Sequence, residues 1–298
     1  MRREFEGFGL PAIRGGDIFV YTAVSECSLF SLYLFSPEAI EMSDAERGHL
    51  ERIVDQFSKQ AAPFARLDIH MNAMDMLVEM SGVGSDDNVL DVACGPGLVA
   101  CEFAESAAHV TGLDITEAMI EKARELAKGK GLANVDWVIG NANPLPFPDA
   151  GYSRVITRYS FHHFLDPEAV FGEMVRVCKP GGRVLVADVC VAEETSAEYD
   201  RMEQLRDDSH AHALTGPEFS QLFEESGLED VKYGAYGLDA DVEHLLDASS
   251  HEPANRAKVI AILEGDIGVD ALGINARREN GRLMFTFPIA VFTGRKPG

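Results

Sequence analysis

The segment VLDVACGPG, residues 89–97, leaves this chain few folds to choose from. Val89, Leu90 and Val92 read as a short strand buried on both faces of a parallel sheet. Gly95 and Gly97 then let the backbone turn tightly and lie against a ligand, where any Cβ would intrude. A helix from about Leu98 points its free N–H groups at whatever occupies the turn. So far this fits any nucleotide site of the doubly wound kind. Asp91 narrows the ligand. A carboxylate four residues before the first glycine repels a pyrophosphate but suits a cationic group. A plainer reading stays open, in which Asp91 caps the helix and the glycines merely close a turn.

Downstream, apolar strand-like runs alternate with helical periodicity. Strands are expected near 88–92, 108–113, 134–139, 153–159 and 183–189, with helices near 97–105, 117–129 and 166–178 between them. Right-handed crossovers place the strand ends, and the motifs they carry, on one rim of the sheet. After Val191 a helical stretch at 196–208 precedes a helix at 217–226 and a strand near 229–236. A second helical insertion, 241–267, comes before a final strand near 283–293.

With these motifs in order, the sequence resembles the class I S-adenosylmethionine-dependent methyltransferases, whose first motif has the form D-x-x-x-G-x-G. The resemblance runs from about Phe57 to the C-terminus. Asp114 ends the second strand, where an acid can accept both ribose hydroxyls. Gly140-Asn141-Ala142 matches the adenine-contacting turn, with Asn141 in place of the usual aspartate. Lys179-Pro180-Gly181-Gly182 precedes the fifth strand and reads as a structural turn. The resemblance implies a doubly wound, Rossmann-like sheet of seven mostly parallel strands with an antiparallel last strand. Helical lid elements are expected at 46–62, 192–215 and 240–280. It also implies S-adenosyl-L-methionine as cofactor, bound through Asp91, Ala93, Gly95, Gly97, Asp114, Ile115, Asn141, Ala142 and Arg158. The core is similar to the quinone-ring C-methyltransferases of ubiquinone and menaquinone synthesis. Their Asn-x-x-x-Ser-x-Gly-x-His-Arg run before the first motif is missing, and FARLDIHMNAMDMLVEM stands there instead.

Composition limits the partners. The net charge of −23, with eight lysines among 26 basic residues, argues against nucleic acid or an anionic membrane, both of which need a basic footprint. Cys27, Cys94, Cys101, Cys178 and Cys190 have neither metal spacing nor a disulfide framework, so no metal and a reduced cytoplasm are expected. A small-molecule acceptor is the expected partner. The oligomeric state is open, with a homodimer as one option. Residues 1–41 lie before the resemblance; their apolar stretch is interrupted by Glu26, and they read as a poorly ordered extension or an upstream start. Ser43 with Glu46 three residues on marks a helix start, and the domain is expected over 42–298.

The candidate catalytic residues are histidines. His163 follows the fourth strand, whose end faces the transferring methyl group in such folds; His162 beside it reads as a wall residue. His210, in the run RDDSHAH, is expected to reach the same space from the lid, against the alternative of a solvated loop residue. Either would suit a neutral base near pH 7. Two other classes remain. Residues 95–100 formally satisfy G-x-G-x-x-A, so an NAD(P)-dependent oxidoreductase is one alternative. A non-catalytic S-adenosylmethionine-binding protein is the other.

Overall fold

The computed structural model describes residues 42–64, 73–249 and 251–298. The expectations for residues 1–41 lie outside the described residues. The described chain runs α1 (Asp44–Phe64), α2 (Met74–Ser81), β1 (Asn88–Val92), α3 (Leu98–Phe103), β2 (His109–Asp114), α4 (Glu117–Lys130) and β3 (Val135–Ile139). It continues through β4 (Tyr152–Arg158), α5 (Pro167–Val177), β5 (Cys178–Val189), α6 (Glu193–Arg206), α7 (Gly216–Glu225) and β6 (Glu229–Asp241). The last elements are α8 (Val242–Ala248), α9 (Pro253–Asp266), β7 (Arg277–Glu279) and β8 (Arg282–Arg295).

The sheet has the order β3-β2-β1-β4-β5-β8-β6, with short β7 pairing onto β8. Strands β1 to β5 pair in parallel, whereas β8 runs antiparallel to β5, β6 and β7. The chain moves outward in one direction from β1 to β3 and in the other from β4 to β5. The β1/β4 boundary is therefore the switch point, where crevices open beyond the strand ends.

Alternation along the strands supplies both faces. Leu90, Val92, Val155, Val184 and Val186 pack against Val170, Phe171 and Met174 of α5 and Phe219 and Phe223 of α7. Val89, Ile156, Leu185 and Ala187 turn to the other face and meet Met74 and Leu77 of α2 and Val99 and Phe103 of α3. Helices on both faces explain why these strands are apolar without interruption. A further core, built by Tyr199, Met202, Val242, Leu246, Val259 and Leu263 with Leu238 and Phe285, joins α6, α8 and α9 to the ends of β6 and β8.

The structure differs from expectation in a few elements. Residues 179–182 lie inside β5, because Cys178 already pairs with Tyr152 and the register shifts before Arg154 meets Arg183. Helix α2 and strand β7 had no counterpart in the sequence reading. The proposed helix start is present: Ser43 Oγ accepts the Glu46 amide at 3.2 Å, and the Glu46 carboxylate accepts the Ser43 amide at 2.7 Å. No described helix is long and apolar enough to cross a membrane.

Candidate active site

Two strands that meet at the switch point end in the same unusual way. Ala93 after β1 and Tyr159 after β4 both hold positive φ, 54° and 58°. Such backbone is strained for residues with a side chain and persists only where the surroundings impose it. Both residues line one cavity beyond the strand ends, together with Gly95, Asp114, Ile115, Asn141, Ala142 and Arg158.

The glycine turn is held by its neighbours. The Cys94 amide donates to the Leu113 carbonyl at 2.9 Å, and the Gly95 amide donates to Asp114 Oδ2 at 2.8 Å. The other Asp114 oxygen accepts the Thr116 amide, also at 2.8 Å. Each carboxylate oxygen keeps a second lone pair for a ligand. The two glycines serve different ends. At Gly95 (φ 52°) a Cβ would meet no atom within 4 Å, so its bare face is open to the cavity. At Gly97 (φ 79°) a Cβ would lie 2.5 Å from the Trp137 ring and 2.8 Å from Ala123 Cβ. Gly97 is therefore small so that α3 can approach β3 and α4, a packing reason instead of the expected ligand contact.

Asp91 does not line the cavity. It is 1% exposed, and its Oδ2 has no hydrogen-bond partner among the described residues. Burial pushes its carboxyl up to about 8, against the opposing pull of the Arg158 guanidinium. Arg158 bridges the two environments: it lines the cavity and stacks on the Tyr159 ring at 4.6 Å. One Asp91 oxygen is thus left for a hydrogen bond that the described residues do not supply.

His163 lines the cavity and is 6% exposed. Its Nδ1 lies 3.1 Å from both the carbonyl and the hydroxyl of Ser209. The Ser209 hydroxyl donates its own proton to Asp207 at 2.5 Å, so both Ser209 oxygens face Nδ1 as acceptors. Nδ1 therefore carries the ring proton and Nε2 carries a lone pair. Burial, reinforced by neighbouring His162, holds the ring well below the usual histidine range, so it is neutral. His162 instead contacts Asp188 Oδ1 at 2.6 Å; burial opposes its charge, but the Asp188 carboxylate raises its proton affinity overall.

Helix α1 roofs this space. Met42 and, from α1, Glu46, His49, Leu50, Ile53 and Phe57 line the cavity, and His49 Nε2 donates to the His163 carbonyl at 2.7 Å. Phe57 meets the His163 ring edge-on at 5.0 Å. None of these residues was singled out in the sequence as a site residue, although 46–62 was expected as a lid element. The amphipathic pattern of 46–62 shows that a helix has a buried face but does not say what it buries.

The other expected lid elements require correction. No residue of 192–215 or 240–280 lines the cavity; these segments build the separate core around α6, α8 and α9. His210 is likewise not brought to it. His210 is 4% exposed, with Nε2 against Asp200 Oδ1 at 2.7 Å, because Asp200 on α6 gathers His210, His212 and the Ala213 amide. The loop reaches the site through Ser209 and Asp207 instead. Cys94 lines the cavity too, but burial pushes its thiol well above the ordinary value. Among the described residues no group of three or more His, Cys, Asp or Glu side chains is placed to hold a metal.

A parallel sheet with this switch point, a glycine turn pinned by an acid on the next strand, and a roofed cavity together define a methyltransferase fold. Residues 84–227 match the methyltransferase domain family. The chain is 28% identical over 208 residues to the methyltransferase YcgJ of Bacillus subtilis, a match covering 68% of this chain and 82% of that one. The crystal structure of YcgJ superposes with a TM-score of 0.71 at 24% identity, covering 77% of this chain and all of that one. A demethylmenaquinone methyltransferase of Listeria welshimeri is 33% identical over 147 residues. That match spans 46% of this chain and 62% of the Listeria protein, less than two thirds of its length. The methyltransferase domain match favours methyl transfer over the oxidoreductase alternative.

Proposed function

We propose that this protein transfers a methyl group from S-adenosylmethionine to a small, largely apolar acceptor held beneath α1. The observation that carries this reading is a convergence in one cavity: the open face of Gly95 and the Asp114 carboxylate share it with His163, whose Nδ1 proton leaves the lone pair on Nε2. When bound, S-adenosylmethionine supplies a methyl carbon already activated by its sulfonium. The Gly95 backbone and Asp114 would hold the nucleoside, with Ile115, Asn141 and Ala142 around it. Arg158 and the buried Asp91 would set the field at the charged end. Leu50, Ile53, Phe57, Phe164 and Leu165 give the acceptor an apolar wall. His163 would take the proton of an O–H, N–H or acidic C–H acceptor, while the walls hold the nucleophile in line; such orientation can be worth ~7–11 kcal/mol.

A quinone ring is a second reading, favoured by the similarity to the Listeria enzyme and by the apolar wall. Free thiols at Cys94, Cys101, Cys178 and Cys190 support a reduced, cytoplasmic setting. The test is mass spectrometry of ligands retained by the purified protein, followed by methyl-donor turnover on phenols, quinols and amines. Stoichiometric methylated product and S-adenosylhomocysteine are expected. Cofactor binding with no methylated product on any class would favour the non-catalytic alternative.

A further inference from the structure

The run RDDSHAH contains three acids or hydroxyls and two histidines, and the structure sorts the side chains of four of these five into two networks. His210 and His212 belong to Asp200. Asp207 and Ser209 belong to His163. We infer that Asp207 and Ser209 are positioning residues that fix His163 as a cavity base with its proton on Nδ1 and its lone pair on Nε2. This rests on the methyl-transfer reading above, and it adds what makes His163 competent.

The chain of contacts is short and directional. Asp207 Oδ1 accepts from both the amide and the hydroxyl of Ser209, at 2.9 and 2.5 Å. With that proton committed, Ser209 Oγ can only accept from His163 Nδ1. An aspartate that reaches a histidine through a hydroxyl follows the logic of an orienting acid behind a catalytic imidazole. When His163 takes a proton, the bonding pair stays on the acceptor's nucleophilic atom as the attacking lone pair. The imidazolium then lies across Ser209 from the Asp207 carboxylate, and the proton passes to water after product leaves.

The groups facing His163 decide the sign. His162, at 4.1 Å between rings, and His210 oppose a positive charge there, and Asp207 favours it. Asp188 neutralises His162 from behind, and Arg206 beside Asp207 is bound to Glu203. On the roof, His49 touches the backbone of His163 and Phe57 its ring edge. Without the Asp207 charge, Nε2 is a weaker base.

The experiment is ¹⁵N-histidine NMR of the full chain near pH 7, with His163→Gln to assign the ring. Wild type is expected to show a neutral His163 protonated at Nδ1, with slow exchange of that proton. Ser209→Ala should speed this exchange ~10-fold or more and lower turnover by a similar factor, with S-adenosylhomocysteine affinity within about twofold. Asp207→Asn should lower kcat and move the acid limb of its pH profile to lower pH. A wild-type ring protonated at Nε2 overturns the inference whatever the activity, and covers the case in which a variant fails to fold. Unchanged exchange and kcat in Ser209→Ala, or an unmoved acid limb in Asp207→Asn, also overturns it. Loss of S-adenosylhomocysteine binding in wild type would instead count against the methyl-transfer reading itself.

Discussion

Asp114 Oδ2 accepts the amide of Gly95 at 2.8 Å, so the acid that ends β2 also builds the glycine turn after β1. Under the proposed function this carboxylate has two tasks, and its removal should disturb both. Asp114→Ala should lower S-adenosylhomocysteine affinity and also destabilise the apoprotein, each by ~1–3 kcal/mol, since two backbone donors lose a charged acceptor. Thermal melts and calorimetric titration of the same preparation check this. A loss of affinity with unchanged stability would mean the turn stands without Asp114.

The glycines should separate by function. Gly95→Ala places a methyl in open cavity space and a side chain at φ 52°, at a strain of about 1–2 kcal/mol. Its main effect should be weaker S-adenosylhomocysteine binding. Gly97→Ala drives a methyl into Trp137 and Ala123, and should destabilise the fold by the further ~1–3 kcal/mol of overpacking. Equal effects of the two substitutions on stability would refute the distinction.

Asp91 should trade stability for function. Its carboxyl is pushed from the ordinary range up to about 8 by burial, so the folded state resists ionisation that the unfolded chain allows. Stability from this group is fully present below about pH 4 and is lost as pH rises through 8. Asp91→Asn should therefore be more stable than wild type, by about 5 kcal/mol at pH 8, with the gap shrinking to about 2 kcal/mol at pH 5. The same variant should bind S-adenosylhomocysteine less tightly. Denaturant melts at both pH values decide it, and a pH-independent difference would be the contrary result.

His212 should follow the same pH trend, but its charged form stabilises the fold. Asp200 raises its pKa, with Glu218 adding to this against partial burial, to about 9. The stability it lends is fully present below pH 6.5 and fades as pH rises through 9. The melting-temperature gap between wild type and His212→Ala should accordingly be widest near pH 6 and vanish above pH 9.

What was legible in the sequence was local and repetitive. Asp91, Gly95 and Asp114 announce a strand-turn-helix and the next strand end because close backbone approach restricts residue type at each point. The Ser43–Glu46 start was legible for the same reason: a cap needs its partner three residues on. An Asn280-Gly281 hairpin signal was also present and would have found β7. Side-chain direction in loops was not legible. Nothing in RDDSHAH says that Ser209, and not His210, turns toward His163, because that choice is made by Asp200 from the adjoining helix. Nor does the pattern of α1 say that His49 reaches the His163 carbonyl, a contact 114 residues away in the chain.

The most direct measurement is calorimetric titration of the full chain with S-adenosylhomocysteine, wild type beside Gly95→Val, with NAD and NADP as controls. Saturable one-to-one binding by wild type is expected. The valine side chain, standing in the open face of the turn, should weaken this at least ~10-fold without a matching loss of melting temperature beyond the strain of its φ. Neither nicotinamide nucleotide should bind. Binding of NAD, or S-adenosylhomocysteine affinity indifferent to a side chain at Gly95, would contradict a methyl-donor site in this cavity.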